Sequence, residues 1–105
     1  MSDNSRSVQR VEDLIRLVRK GNPASLTELR KHLGKTRKEI ASKVGVSEDQ
    51  LEDWELGEQQ PSSIHHSFWK LSLSDYIDEE ISALLKVDNA ELINKFWEVM
   101  WHLDE

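Results

Sequence analysis

Apolar residues recur along the chain at the three- and four-residue spacing of amphipathic helices, and no segment alternates in the manner of a strand. In the first such stretch the pattern ends at Gly21, and Asn22 and Pro23 follow as a turn, so an N-terminal helix is predicted over residues 7–20. The apolar positions of this helix are Val8, Val11, Leu14, Ile15, Leu17 and Val18. The pattern over the whole chain predicts seven helices and no sheet.

Two pairs of a hydroxyl residue with an acid or amide three positions later mark helix starts in the middle of the chain. In such a capping box, the two side chains satisfy backbone donors at the helix N-terminus. The pairs are Thr36 with Glu39 and Ser47 with Gln50. They predict short helices at about 36–44 and 47–54, and Gly45 between them suits a tight turn that needs positive φ. The apolar residues that would pack the two helices across each other are Ile40, Val44, Val46, Leu51 and Trp54. Spacing alone therefore predicts a helix-turn-helix.

Three further helices are predicted around this motif. The first is capped by Ser25 with Glu28 and runs to about Leu33. A short helix after Pro61 is expected to close the motif, and another is expected to begin at Ser74. The apolar residues of these two helices are Ile64, Phe68 and Leu71 in the first, and Tyr76, Ile77, Ile81, Leu84 and Leu85 in the second.

The last helix is predicted over residues 90–103, with Asp88 and Glu91 as its capping pair. Its apolar residues spread round most of the circumference, so packing on one domain would leave part of them in water. A core helix held between the domain and the N-terminal helix fits this pattern, and so does an interface with a second copy or a partner protein. The candidate interface residues are Ile93, Trp97, Met100 and Trp101.

The stretch from Leu26 to Ser62 resembles the lambda-repressor-like, XRE-type helix-turn-helix family without a gap. The matching positions are Leu29-Arg30, Gly34 to Ala41, Val44 to Ser47, Leu51, Trp54-Glu55, Gly57 and Pro61. The resemblance implies an all-α, lambda-repressor-like helix-turn-helix bundle over about residues 26–87. The helical patterns outside it add extra helices at both ends, within a single domain that spans residues 1–105. It also implies a core ion pair between Arg30 and Glu55, which would join the first helix of the family's motif to the end of the third.

The resemblance further implies which residues meet DNA. In the family, the recognition helix lies in the major groove with its N-terminal residues against base edges, and the matching residues are Ser47, Glu48, Asp49, Gln50 and Asp53. Gln50 alone has the usual chemistry, because carboxylates accept only from cytosine N4. Phosphate contacts are expected at the start of the preceding helix, from Thr36, Arg37 and Lys38, with Lys35, Lys43 and Lys31 extending the patch.

Charge is divided unequally along the chain. Residues 1–43 hold 11 basic and 5 acidic residues, a net charge of +6, whereas residues 44–105 hold 3 and 15, a net charge of −12. Since a duplex repels acid, only the first half is suited to approach phosphates. The predicted function is a DNA-binding transcriptional regulator, dimeric through its terminal helices. The alternative is a helix-turn-helix domain that binds a basic protein surface, or the basic half of a second copy, through its acidic third helix.

Other function classes receive little support. The 105 residues predict one domain, and the absence of cysteine excludes disulfides and thiolate chemistry. His65 and His66 diverge on a helix, so they are a poor metal pair, and no nucleophile-base constellation or phosphate loop is present. We therefore expect no enzyme activity, metal or cofactor. The polar first seven residues and the lack of a long apolar run predict no membrane contact and a cytoplasmic location.

Overall fold

The computed structural model describes residues 2–86 and 89–102, with side chains from residue 8 onward. Within this part of the chain there are six helices and no strand, which confirms the all-α class. The helices are α1 (Ser2–Lys20), α2 (Pro23–His32), α3 (Arg37–Val44), α4 (Glu48–Glu55), α5 (Ser63–Leu85) and α6 (Ala90–Trp101). None of the helices described is long and apolar enough to cross a membrane.

One hydrophobic core joins the elements, and α5 lies at its centre in contact with α1, α2, α3 and α6. The buried residues of α5 recur every four positions, so that a single face of this long helix is covered. Burial of each such side chain contributes about 2 kcal/mol. The fully buried large side chains of the core include Leu14 and Ile15 of α1, Leu26 and Leu29 of α2, Ile40, Leu51, Trp54, and Trp69, Leu73, Ile77 and Ile81 of α5.

The prediction of seven helices was wrong, because α5 runs unbroken through the predicted start at Ser74. The Ser74 hydroxyl donates to the Lys70 carbonyl at 2.8 Å, and the Ser72 hydroxyl donates to the Trp69 carbonyl at 2.7 Å. Both hydroxyls thus bond back along the helix instead of capping a new one. The apolar face expected near the start of α5 was also wrong, because Ile64, Phe68 and Leu71 are exposed and Trp69 and Leu73 are buried instead.

Two helix caps differ from those predicted. Helix α2 begins at Pro23, and the Asn22 side chain accepts from the Ser25 amide at 2.8 Å, so that Ser25 lies inside the helix. Proline suits this first position because its missing N–H has no intrahelical acceptor there. Helix α6 is capped by Asn89, which accepts from the amide groups of Glu91 and Leu92. The predicted cap Asp88 and the predicted helix end at 103 lie outside the described residues.

Helix α6 turns one face toward the rest of the molecule. Its inward residues pack against the core while remaining partly exposed, and they are Ile93, Phe96, Trp97 and Met100. The Trp97 indole N–H donates to the Asp78 carboxylate on α5, which anchors the helix. Leu92 and Val99 remain exposed along one edge of this face, and Trp101 along the other. Three of the four predicted interface residues therefore contribute to packing within the chain.

Candidate nucleic-acid interface

The turn between α3 and α4 is built by Gly45 and Ser47. Gly45 has a φ of +89°, and its N–H donates to the Ala41 carbonyl at 2.8 Å, so it ends α3 in the left-handed conformation that glycine adopts without strain. Ser47 then caps α4 by accepting from the Gln50 amide at 3.0 Å. The Gln50 side chain does not return this bond, so the second predicted capping box is only half formed.

The packing of α4 on α3 determines which of its side chains face solvent. Leu51 and Trp54 point into the core, where they are almost fully buried. The residues of the predicted recognition helix consequently lie on the outer side, with Ser47, Glu48 and Asp49 exposed and Gln50 and Asp53 partly exposed. This is the orientation in which a helix-turn-helix presents its second helix to a groove.

Glu55, at the end of α4, binds two arginines from two other helices. Arg30 of α2 donates from Nε to Oε2 at 2.7 Å and from Nη2 to Oε1 at 3.0 Å, in the bidentate geometry of a guanidinium on a carboxylate. Arg37 of α3 donates from Nε to Oε1 at 2.8 Å. The Glu55 side chain is 1% exposed, so its charge depends on these two partners for compensation. This carboxylate therefore joins α2, α3 and α4.

Arg37 has an additional contact with the recognition helix. Its Nη1 lies 3.3 Å from Glu52 Oε2, and the hydrogen bond to Glu55 raises the pKa of Arg37 above its ordinary value. The Arg37 guanidinium, for which the family resemblance implies a phosphate contact, therefore contacts two carboxylates of α4. The sequence signal for this role of Arg37 is Glu55, because a buried carboxylate requires cations around it. Glu55 follows Arg37 by 18 positions, so local sequence patterns do not reveal the contact.

The start of α3 carries the capping box predicted from sequence. The Thr36 hydroxyl accepts from the Glu39 amide at 3.1 Å, and Glu39 Oε1 accepts from the Thr36 amide at 3.0 Å. The bond that the Thr36 amide donates to this carboxylate, together with one from the Thr36 hydroxyl, lowers the pKa of Glu39. The Thr36 side chain therefore serves as the N-cap of α3. The backbone amide groups of Arg37 and Lys38 have no acceptor within the helix and lie at its positive end.

The lysines of the predicted phosphate patch differ in their surroundings. Lys35 and Lys43 both place Nζ over the ring of Tyr76, at 4.4 Å and 4.2 Å from its centroid, and Lys43 Nζ also lies 3.2 Å from Asp75 Oδ2. The sequence pattern predicts Tyr76 only as an apolar residue of the helix expected from Ser74. Lys38 is exposed, and its side chain forms no ion pair or hydrogen bond within the described residues. The Lys31 side chain is likewise exposed and forms no ion pair or hydrogen bond within the described residues, so Lys38 and Lys31 are the cations of this patch that are free to meet an anion.

The acids of α4 are compensated unequally. Glu52 and Glu55 have arginine partners, as described above. The carboxylates of Glu48, Asp49 and Asp53 form no ion pair with the described part of the chain. The outer face of α4 therefore presents three carboxylates without an ion-pair partner in the described residues, of which Glu48 also interacts electrostatically with Arg37.

The histidines and acids form no metal site in the part of the chain described, where no group of three or more such residues is arranged to hold an ion. The His66 ring bonds to the Gly21 carbonyl at 2.7 Å through Nε2, and the His65 ring bonds to the Ser62 hydroxyl at 3.1 Å through Nδ1. The His66 ring thus connects α5 to the turn after α1, whereas the His65 ring bonds to the N-cap of its own helix.

Comparison with protein families matches residues 26–64 to a family model described as helix-turn-helix. The matched segment extends from α2 into the first residues of α5 and includes the α3–turn–α4 unit and the Arg30–Glu55 pair. Comparisons with curated proteins and with solved structures gave no match. The resemblance identified from the sequence is confirmed for this segment.

Proposed function

We propose that this protein is a transcriptional regulator that binds duplex DNA. Residues 26–64 form a lambda-repressor-like, XRE-type helix-turn-helix, which is the domain of a DNA-binding and non-enzymatic regulator family. The observation that carries the proposal is the α3–turn–α4 unit, in which the outer side of α4 faces solvent and Lys38 is exposed on the first turn of α3. This unit has the shape needed to place α4 in a major groove while α3 crosses the phosphate backbone.

The contacts divide into phosphate anchoring and base reading. Lys38 and the amide groups at the start of α3 supply the anchor, and Lys31 at the end of α2 extends it. Ser47 and Gln50 supply ordinary donors and acceptors for bases, whereas the three acids without an ion-pair partner accept only from cytosine N4. We infer that binding rests on few phosphate contacts and tolerates a restricted set of base pairs.

A fluorescence-anisotropy titration with random duplex DNA tests the proposal. Because counterion release drives binding to phosphates, we expect measurable affinity at about 50 mM salt and a steep loss toward about 200 mM. Absence of binding at low salt would remove the proposal. If duplex DNA binds, the sequence of the target site can be sought by selection from a random library.

The acids of α4 without an ion-pair partner support a second candidate function, which is recognition of a basic protein surface. Glu48, Asp49 and Asp53 lie on the outer side of one helix and form no ion pair within the described residues, and such a surface attracts a partner of opposite charge. In this case α4 contacts a protein and Lys38 has no role. Replacement of the three acids separates the two functions, because it strengthens binding to DNA and weakens binding to a basic partner.

We also propose that the regulator acts as a dimer. Of the interface residues predicted on α6, Ile93, Trp97 and Met100 are engaged with the core of the same chain, and Trp101 is 38% exposed. The large apolar side chains that α6 still exposes to a partner are Leu92, Val99 and Trp101. The dimer is tested by the dependence of solution mass on protein concentration.

A further inference from the structure

Three glutamates form a row along one edge of α4. Glu48, Glu52 and Glu55 follow each other at spacings of four and three residues, which brings their side chains to the same side of the helix. We name these three residues the acidic row. Their burial increases along the row, because Glu48 is exposed, the Glu52 side chain is 46% exposed and the Glu55 side chain is 1% exposed. The row thus leads from solvent at the start of α4 to the core at its end.

Arg37, the first residue of α3, interacts with every carboxylate of the acidic row. Its Nε donates to Glu55 Oε1 at 2.8 Å, and its Nη1 lies 3.3 Å from Glu52 Oε2. The hydrogen bond to Glu55 raises the pKa of Arg37, and the negative charges of the whole row raise it further. The guanidinium is therefore held along the row, with its inner nitrogen on the buried carboxylate and an outer nitrogen at the partly exposed one.

The two contacts of Arg37 differ in how easily they break. Loss of the contact with Glu55 would leave a buried carboxylate with less compensation, which is costly. The contact with Glu52 joins side chains that are 34% and 46% exposed, and water screens such a pair, so it contributes little to stability. Arg37 supplies the only ion pair of Glu52 within the part of the chain that the structure describes. An anion that reaches the outer nitrogens can therefore replace Glu52 without displacing Glu55.

The start of α3 is the place where we propose that a DNA phosphate is anchored. The backbone amide of Arg37 belongs to that anchor, so a phosphate bound there lies close to the side chain of the same residue. A bidentate contact between a guanidinium and a phosphate uses two N–H groups. Since Nε is taken by Glu55, such a contact needs the two outer nitrogens, one of which lies at Glu52. Carboxylate and phosphate then compete for the same donors.

We propose that Glu52 is an intramolecular competitor of DNA phosphate for Arg37, and that DNA binding exchanges the Glu52 contact for a phosphate contact while Glu55 keeps its bond to Nε. The free protein then binds DNA more weakly than its cations alone would allow. Because Glu55 continues to join α3 and α4, the exchange moves only the outer part of one side chain. The inference rests on the proposed DNA binding and specifies how that site is restrained.

Glu52→Gln tests the proposal, because the amide keeps the size of the side chain and removes its charge. The released Arg37 adds one phosphate contact. Binding to random duplex should therefore tighten on the order of tenfold at about 50 mM salt, and the slope of log affinity against log salt should steepen by about 0.9. Asp53→Asn is the matched control, since it removes an acid of α4 that forms no ion pair within the described residues. It should tighten binding less and leave the slope unchanged, because only general repulsion is removed.

A double-mutant cycle identifies Arg37 as the group that Glu52 restrains. Arg37→Gln removes the cation and keeps an N–H donor for Glu55, whose charge is still compensated by Arg30. In this background, Glu52→Gln should raise the affinity for duplex no more than Asp53→Asn does, and the salt slope should stay constant. Circular dichroism and urea denaturation verify that each variant folds, which is expected because the Arg37 and Glu52 side chains are partly exposed.

Three results would overturn the proposal. Equal gains in affinity and equal slopes for Glu52→Gln and Asp53→Asn would show a general charge effect without competition. A gain from Glu52→Gln that persists in full beside Arg37→Gln would show that another group is released. Both results leave the proposed DNA binding intact. Absence of duplex binding at low salt by the parent and by Glu52→Gln would instead remove the DNA-binding function, and the competition with it.

Discussion

Arg37 donates a hydrogen bond from Nε to Glu55 Oε1 at 2.8 Å, so the side chain that the family pattern places near a phosphate is bound to a carboxylate of its own domain. The same carboxylate accepts two bonds from Arg30. Glu55 thus receives three charge-assisted hydrogen bonds. The two arginines on this buried acid connect α4 to α2 and α3, and the pairing of Arg37 leaves one cation fewer on the side that we propose to face DNA.

The two arginines should differ in their contribution to stability. Arg30→Ala removes the bidentate partner of a carboxylate that is 1% exposed, and we expect a loss of about 3 kcal/mol in the free energy of unfolding. Arg37→Ala leaves Arg30 in place and should cost about 1 kcal/mol. Urea denaturation measures both values. Equal losses in the two variants would contradict the dominant role of Arg30.

Lys38 should be the principal side-chain contact to phosphate. We expect Lys38→Ala to weaken binding to random duplex and to reduce the slope of log affinity against log salt by about 0.9, since one phosphate contact is lost. Anisotropy titrations at several salt concentrations measure this slope. Lys95→Ala on α6 is the matched control, because it removes the same charge away from the motif. If the control changes the slope as much as Lys38→Ala, a general charge effect is responsible.

Replacement of Glu48, Asp49 and Asp53 by Gln should separate DNA binding from protein binding. The change keeps hydrogen-bonding capacity and raises the net charge by three units. It removes the repulsion between these carboxylates and DNA phosphates within a Debye length of about 10 Å. If α4 enters a groove, the triple variant binds duplex more tightly than the parent. If α4 binds a basic protein, the variant loses its partner in a pull-down. An unchanged result in both assays would mean that α4 is neither contact surface.

Glu39 should make stability depend on pH. Hydrogen bonds from the backbone and side chain of Thr36 lower its pKa in the folded protein, so its contribution is present above the unfolded pKa of about 4.3 and is lost as the pH falls through the lower folded value. Glu39→Gln lacks this titration. Thermal melts from pH 6 down to about pH 3 should therefore show a steeper loss in the parent than in the variant. Parallel curves would show that the carboxylate contributes no pH dependence, and NMR titration of Glu39 verifies the lowered pKa.

Much of the helix-turn-helix could be predicted because its signals act over three or four residues. Thr36 and Ser47 cap their helices, and Gly45 adopts the positive φ that its place in the turn requires. Where two local signals competed, the prediction failed. A hydroxyl at Ser74 can cap a new helix or donate to the Lys70 carbonyl one turn earlier, and the sequence pattern favours the cap, whereas the structure contains the second bond.

The sequence by itself determined the all-α class, the helix-turn-helix and the positions of its acids and bases, because these depend on spacing and on residue type. Only the tertiary structure decided which side of each helix is buried and which cation is free. Ile64, Phe68 and Leu71 have the composition of a core face, but α5 has two apolar sides and the rest of the chain covers one of them. Arg37 and Lys38 are adjacent and carry the same charge, yet only Arg37 reaches Glu55, 18 positions away, since the fold brings α3 and the end of α4 together. Contacts between residues so far apart depend on how the helices pack, which local patterns do not specify.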